Sequence, residues 1–292
     1  MTGQILFAGR KTFVAVIAVF SMWLVATSGQ ASVLYSNGFE TNISDWDAFG
    51  GSFNAVRVAS GTNGITSASG SFHAENSASG SASRWGGYNY GAGNAVPTSF
   101  QEYWTSVDIY LNVGGGWAND TRFDFSSAIN NNLGTHNRDF IFNAGFYNDT
   151  DGSPGSGSSR FVISASTNSQ PSGAYAKNPG KAPIAISTTG WYTFEHHFYD
   201  NAGVLAVDMN IYDAANLLVN TWTQSVAADV ISGIGGNRYG WFDYNQLSTL
   251  AFDNAELRTA DQVVPEPLSV AVWSLLATIG VAFSLRKLRS EV

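Results

Sequence analysis

Cysteine is absent from all 292 residues. No disulfide can form, and a thiolate metal site or a cysteine nucleophile is excluded. Charge is scarce as well. Asp, Glu, Lys and Arg make up 12% of the chain, and such low charge beside many aromatics fits a folded extracellular β-protein, not a disordered one. The charge present is lopsided: between Ser32 and Val264, twenty acidic residues stand against nine basic ones, a net of −11. Nucleic-acid binding needs a basic stripe, which this segment lacks. An anionic polymer would need a divalent cation as a bridge. Between the two termini there is no convincing amphipathic helix, and no internal repeat of the kind a propeller or β-helix requires.

Long apolar runs occur only at the ends. Arg10 and Lys11 precede an apolar stretch from Phe13 to Ala26, and Gly29-Gln30-Ala31 offers small residues for cleavage. This predicts a secretory signal peptide over residues 1–31, with a signal-anchor as the alternative. At the other end Pro265-Glu266-Pro267 is followed by an uncharged run from Leu268 to Leu285, then by Arg286, Lys287 and Arg289. Eighteen residues as a helix span roughly 27 Å, enough for a bilayer core, and the basic cluster predicts a cytoplasmic end. A Pro-Glu-Pro box, one hydrophobic helix and a short Arg-rich terminus, in that order, resemble the PEP-CTERM sorting signal of Gram-negative and related bacteria. The resemblance covers about a tenth of the chain. It implies an exosortase-type processing enzyme as partner, a transient inner-membrane anchor, and final export to the cell surface or extracellular matrix.

What remains, residues 32–258 with a linker at 259–264, suits one large domain. Short runs alternate with period two. Tyr103, Val107, Ile109, Leu111 and Val113 share one parity, as do Phe140, Phe142, Ala144 and Phe146, and then Phe161, Ile163 and Ala165. Tyr192, Phe194 and Phe198 face Leu205, Val207, Met209 and Ile211 across Asp200-Asn201-Ala202-Gly203, which predicts a hairpin with a loop of about four residues. Leu218 to Thr223 and Thr249 to Leu257 complete a set of about a dozen strands. One-sided alternation predicts antiparallel sheets packed in two layers. The expected fold is therefore all-β: a two-sheet antiparallel jelly-roll β-sandwich, flanked by the N-terminal signal peptide and the C-terminal transmembrane helix.

Near its start this segment reads Ser36-Asn37-Gly38-Phe39-Glu40-Thr41, and its last strand reads Ala251-Phe252-Asp253-Asn254-Ala255-Glu256-Leu257. These two ends are similar to those of jelly-roll carbohydrate-binding modules and concanavalin A-like lectin/glucanase domains. The resemblance implies that Glu40 and Asp253 lie side by side and ligate a structural calcium; otherwise they are two surface carboxylates. Asp149-Thr150-Asp151-Gly152-Ser153 starts like a calcium loop but lacks the later bidentate Glu of an EF-hand, so a plain turn is expected. In Glu195-His196-His197 alternation sends the two imidazoles to opposite faces, with His196 towards the core.

A glycan hydrolase of this class would want two carboxylates across a cleft. Glu occurs between Ser32 and Val264 only at 40, 75, 102, 195 and 256, and none has another acid two residues away. Gly155-Ser156-Gly157 is a fragment of a nucleophile elbow without the helix. No catalytic residue is therefore assigned. Aromatics beside glycines are the better signal. Trp85, Tyr88 and Tyr90 in one cluster, and Tyr239 and Trp241 in another, are candidates for stacking on sugar rings; otherwise they fill the core. The expectation is a non-catalytic surface protein interacting with extracellular polysaccharide. A glycan hydrolase or lyase is the second reading, and a purely structural envelope component the third.

Overall fold

The computed structural model of the protein describes residues 32–43, 46, 55–77, 97–169 and 175–260. The signal peptide, the linker from Asp261, the Pro-Glu-Pro box, the helix 268–285 and the Arg286–Arg289 cluster lie outside the described residues, as do Trp85, Tyr88 and Tyr90. Among the described residues no helix is long and apolar enough to cross a membrane.

The described chain is all-β, with two antiparallel sheets. The larger holds β1 (Ser32–Asn37), β2 (Ala55–Ala59), β3 (Phe72–Asn76), β4 (Tyr103–Leu111), β9 (Gly190–Asn201), β10 (Val204–Asp213), β11 (Leu218–Val230) and β13 (Leu250–Thr259). The smaller holds β5 (Thr121–Asn131), β6 (His136–Tyr147), β7 (Arg160–Thr167), β8 (Ile184–Ile186) and β12 (Ile234–Asp243). The larger sheet runs β11-β10-β9-β4-β13-β3-β2, with β1 on β13; the smaller runs β12-β5-β6-β7-β8. The chain thus changes sheet after β4, β8, β11 and β12.

Alternation explains how the layers meet. Val107, Ile109 and Leu111 of β4, Phe194 and Phe198 of β9, and Val207, Met209 and Ile211 of β10 point inward from the larger sheet. Phe123 and Phe125 of β5, Phe140, Phe142 and Phe146 of β6, and Phe161 and Ile163 of β7 meet them from the smaller. The rings pack edge to face across the interface: Phe142 to Phe194 at 5.1 Å and Phe140 to Phe198 at 5.5 Å between centroids. His196 belongs to this core. It is fully buried, packs 4.8 Å from the Phe142 ring, and its Nε2 lies 3.1 Å from the Phe140 carbonyl. A carbonyl only accepts, so Nε2 carries the hydrogen.

Two boundaries differ from the sequence expectation. The β9–β10 loop is two residues, not four, because Asp200 and Asn201 still pair with Leu205 and Val204. Ala202 and Gly203 take φ of 54° and 91°, the left-handed pair whose twist matches a two-residue hairpin. Thr259, expected in the linker, is the last residue of β13 and pairs with Ser32 and Tyr103.

Candidate functional site

The outer face of the smaller sheet carries the side chains of opposite parity to the core. On β6 these are Asn143, Gly145 and Tyr147, and on β7 Arg160, Val162, Ser164 and Ser166. Asn143 is held by three neighbours: it donates to Asp124 at 3.0 Å, and its Oδ1 accepts from Ser166 at 2.7 Å and from Lys181 at 3.0 Å. The Tyr175 hydroxyl donates to the Phe123 carbonyl and to Asp124. Trp241 of β12 lies on this face too, with its neighbour Phe242 in the core; it packs with Ala128 and is only 8% exposed, so little of its ring is open. Tyr239 belongs to β12, but its side chain lies outside the described residues.

At the end of this face is a pocket of about 400 Å³ lined by Asn119, Asp120, Arg122, Tyr147, Asp151, Gly152, Ser153, Lys177 and Pro179. Three chain segments build it. The first opens β5, where Arg122 pairs with Asp120. The second is the end of β6 with the loop Asn148–Ser159. That loop is wrapped around the Arg160 guanidinium, which is fully buried. Arg160 donates to the carbonyls of Pro154 (2.7 Å), Asp149 (3.2 Å) and Ser158 (3.0 Å), to Ser153 Oγ (2.7 Å), and to the carboxylates of Asp149 and Asp151. The third segment brings Lys177, whose Nζ reaches Asp149 at 2.8 Å and Asp151 at 2.7 Å. The two Asp residues that resemble a calcium loop in sequence therefore face cationic side chains. A guanidinium and an ammonium occupy the place a cation would take.

Tyr147 is among the lining residues. Its ring lies across Gly145: a Cβ there would sit 2.6 Å from the ring and 2.7 Å from the hydroxyl oxygen, so only glycine admits it. Lys177 Nζ stands 4.1 Å from the ring centroid. The hydroxyl is buried and makes no hydrogen bond of ordinary geometry. Burial first, and then the Asp120 carboxylate, push its pKa up, so it stays a donor. The pocket acids are held ionised. For Asp120 burial works against ionisation, but Arg122, the Tyr147 hydroxyl and Lys177 together outweigh it, and the pKa falls. Asp151 is held well below the usual carboxylate range, chiefly by Lys177 and then by Ser153. From sequence, Asp151, Gly152 and Ser153 drew notice only as part of a calcium-like start expected to be a plain turn, and none of the other pocket residues was named. The available signal was Gly145-Phe146-Tyr147, a glycine two residues before an outward aromatic.

The two ends of the described domain meet. β1 pairs with β13, with Asn37 opposite Ala255, and Phe39 packs edge-on to Phe252 at 5.2 Å. Glu40 and Asp253 converge on one loop. Glu40 accepts from Ser71 N and Phe72 N at 3.0 and 3.1 Å, and Asp253 from Ser69 N at 3.2 Å. Gly70, at φ 59°, is required because a Cβ would fall 2.2 Å from the Glu40 carboxylate. Asp253 is fully buried and also accepts from Asn254 N at 2.8 Å, while Asn254 donates to Asp108 at 2.8 Å. Burial drives the Asp253 pKa to about 7; the backbone donors oppose this, and the charge of Asp108 adds to it. None of the described ion pairs involves Asp253. Among the described residues no three carboxylate or imidazole groups cluster as a metal site.

The second acidic motif divides as alternation requires. His196 is in the core, while His197 stacks on Trp104 at 4.3 Å and bonds Glu102, not Glu195, at 2.7 Å.

No protein-family model matches the chain, and no curated protein sequence does. Solved structures do. The exoplasmic/lumenal domain of VIP36 in its Ca2+/Man2-bound form aligns with a TM-score of 0.44 at 13% identity, over 82% of this chain and 92% of that one. The winged bean acidic lectin complexed with methyl-α-D-galactose gives 0.40 at 10% identity, over 79% and 99%. The CBM2 module of the evolved Dit of Lactobacillus casei BL23 phage J-1 gives 0.39 at 13% identity, over 80% and 99%.

Proposed function

We propose that the protein is an exported, surface-directed, non-catalytic protein that binds extracellular polysaccharide through the pocket at the end of the smaller sheet. One observation carries the choice of binding over hydrolysis. Glycoside cleavage needs one carboxyl with a raised pKa as general acid beside an ionised one. Both pocket acids, Asp120 and Asp151, are instead pinned in the ionised state by Arg122 and Lys177. They can accept hydroxyl hydrogen bonds but cannot protonate a leaving group near neutral pH. The pocket's bases and acids balance, so it favours a neutral, hydroxyl-rich ligand. The polar groups are already ordered by their mutual bonds, which lowers the entropy cost of binding.

Export rests on the N-terminal apolar segment and on the Pro265–Arg289 arrangement, read as a PEP-CTERM signal handled by an exosortase-type enzyme and held meanwhile in the inner membrane. The jelly-roll assignment agrees with the repeated crossing between sheets. The junction of the chain ends is the place for calcium in this reading: Asp253 is buried and makes no ion pair among the described residues, and a cation there would draw on Asp253 and Glu40. It would neutralise that charge and tie β1 to β13.

The binding test is a glycan array probed with the protein and with Lys177→Ala and Asp151→Asn. Retention of neutral polysaccharides by the protein, lost in both variants, is the expected result, with no reducing ends released. Release of sugar, or binding unchanged by both substitutions, would sink the proposal.

A further inference from the structure

Among the described residues β11 is the longest strand and an edge of the larger sheet, paired there with β10 alone. Edge strands are usually guarded by charges, proline, brevity or bulges, because an open row of backbone donors and acceptors templates pairing with another chain. The other outer strands among the described residues are shorter or interrupted. β8 has three residues, β1 six, and β2 five with Arg57, which donates to the Phe39 and Glu40 carbonyls, while β12 pairs with β5 through two register shifts. At β11, by contrast, residues 216–228 read N-L-L-V-N-T-W-T-Q-S-V-A-A, without a charge or a proline. The bulges against β10 fall at its two ends, leaving Asn220–Ser225 regular. Leu217, Leu218, Val219 and Val230 are 64%, 56%, 41% and 46% exposed. The strand is nonetheless fixed: Trp222 is buried and donates to the Ala182 carbonyl at 2.9 Å, and Asp229 is buried and paired with Arg138.

We infer that β11 is a self-association edge, pairing antiparallel with β11 of a second copy of this chain. A strand meeting its own copy about a two-fold axis is complementary in backbone hydrogen bonds whatever its sequence. Charge selects the same occupant. Two copies of a chain with net charge −8 repel over most of their surface, and this uncharged strip is where they approach without like-charge contact. A two-fold at Gln224, the strand midpoint, sets Leu218 against the second copy's Val230, covering two of the four exposed apolar side chains. Two copies would present two glycan pockets on one particle, and a polymeric ligand would then gain by avidity.

The absence of native cysteine gives a clean test. In the full chain, in non-ionic detergent, Gln224→Cys places two thiols opposite each other across the proposed axis, where facing Cβ atoms lie about 5 Å apart. Leu133→Cys, on an exposed turn of the other sheet, controls for random collision. Under mild oxidation Gln224→Cys is expected to give a covalent dimer at least about tenfold faster than Leu133→Cys. Adding Thr221→Lys and Ala227→Lys, which face each other across the same axis, should abolish the dimer while leaving the denaturation midpoint unchanged. Equal cross-linking at both positions, no cross-link at Gln224→Cys, or a dimer that survives the paired lysines with the fold intact would overturn the inference.

Discussion

Acidification should weaken the fold through a single core residue, His196. In the folded protein its ring is walled in by Phe125, Phe142 and Phe198, and burial drops its pKa to about 3 despite the hydrogen bond to Phe140. In the unfolded chain the same imidazole titrates near 6.5. Below pH 6.5 the unfolded state therefore binds a proton that the folded state refuses, and stability falls as the pH drops from 6.5 towards 3. Each pH unit inside that window costs about 1.4 kcal/mol, so the move from pH 7 to pH 4 removes about 3 kcal/mol. That is a large part of a typical total stability of roughly 5–15 kcal/mol. His196→Gln keeps an N–H for the Phe140 carbonyl and cannot titrate. Urea unfolding, followed by tryptophan fluorescence at pH 7 and pH 4, gives the loss for each protein. Comparing wild type with variant cancels the other titrating groups, Asp253 included. The protein should lose about 3 kcal/mol more than the variant over this interval. Equal losses would show that His196 is charged, or open to water, in the folded state, and would refute the argument.

Arg160→Met removes six hydrogen bonds and takes away one of the two cations that hold Asp149 and Asp151; a loss of about 3 kcal/mol by chemical denaturation is expected, together with loss of glycan retention. A loss below about 1 kcal/mol would mean that the loop holds its shape without the guanidinium. Gly145→Ala forces the Tyr147 ring off the sheet, at about 1–3 kcal/mol, and should weaken glycan binding; an unchanged thermal midpoint would count against the packing described. The Asp253 pKa is raised, so the folded state keeps a proton that the unfolded state loses. Its effect is a fall in stability as the pH rises from about 4 to about 7. Calcium at that site should consequently raise the melting temperature more at pH 8 than at pH 5. Asp253→Asn should show no calcium response, and a calcium effect equal in both proteins would remove Asp253 from the site.

Much of the layer architecture was legible before the structure. On β4, β6, β9 and β10, strict alternation of large apolar residues named the inward faces correctly, because a strand's period of two leaves no other way to bury Val107, Phe142 or Met209. The same rule separated His196 from His197. That the two ends of the domain meet was implied only by the resemblance of Asn37–Glu40 and Phe252–Leu257 to the ends of other β-sandwich domains, and the burial of Asp253 was not foreseen. The site was far less legible. Its lining comes from residues 119–122, 147–153 and 177–179, which no local spacing connects. Asp149 and Asp151 start like a calcium loop but were expected in a plain turn, and only the position of Arg160 and Lys177 shows that basic side chains hold them. Trp241 looked like an open platform from its glycine neighbour, but it is buried in the folded chain.

The sequence by itself determined the two-layer β architecture, the acidic and disulfide-free character of the domain, and the apolar termini that argue for export. These follow from composition and from periodicities of a few residues. Tertiary structure alone decided which carboxylates carry a compensating charge, where a pocket opens, and which edge of the larger sheet is left unguarded. Those properties depend on the distance between groups far apart in the chain and on the water excluded between them, and neither quantity is written in any short stretch of sequence.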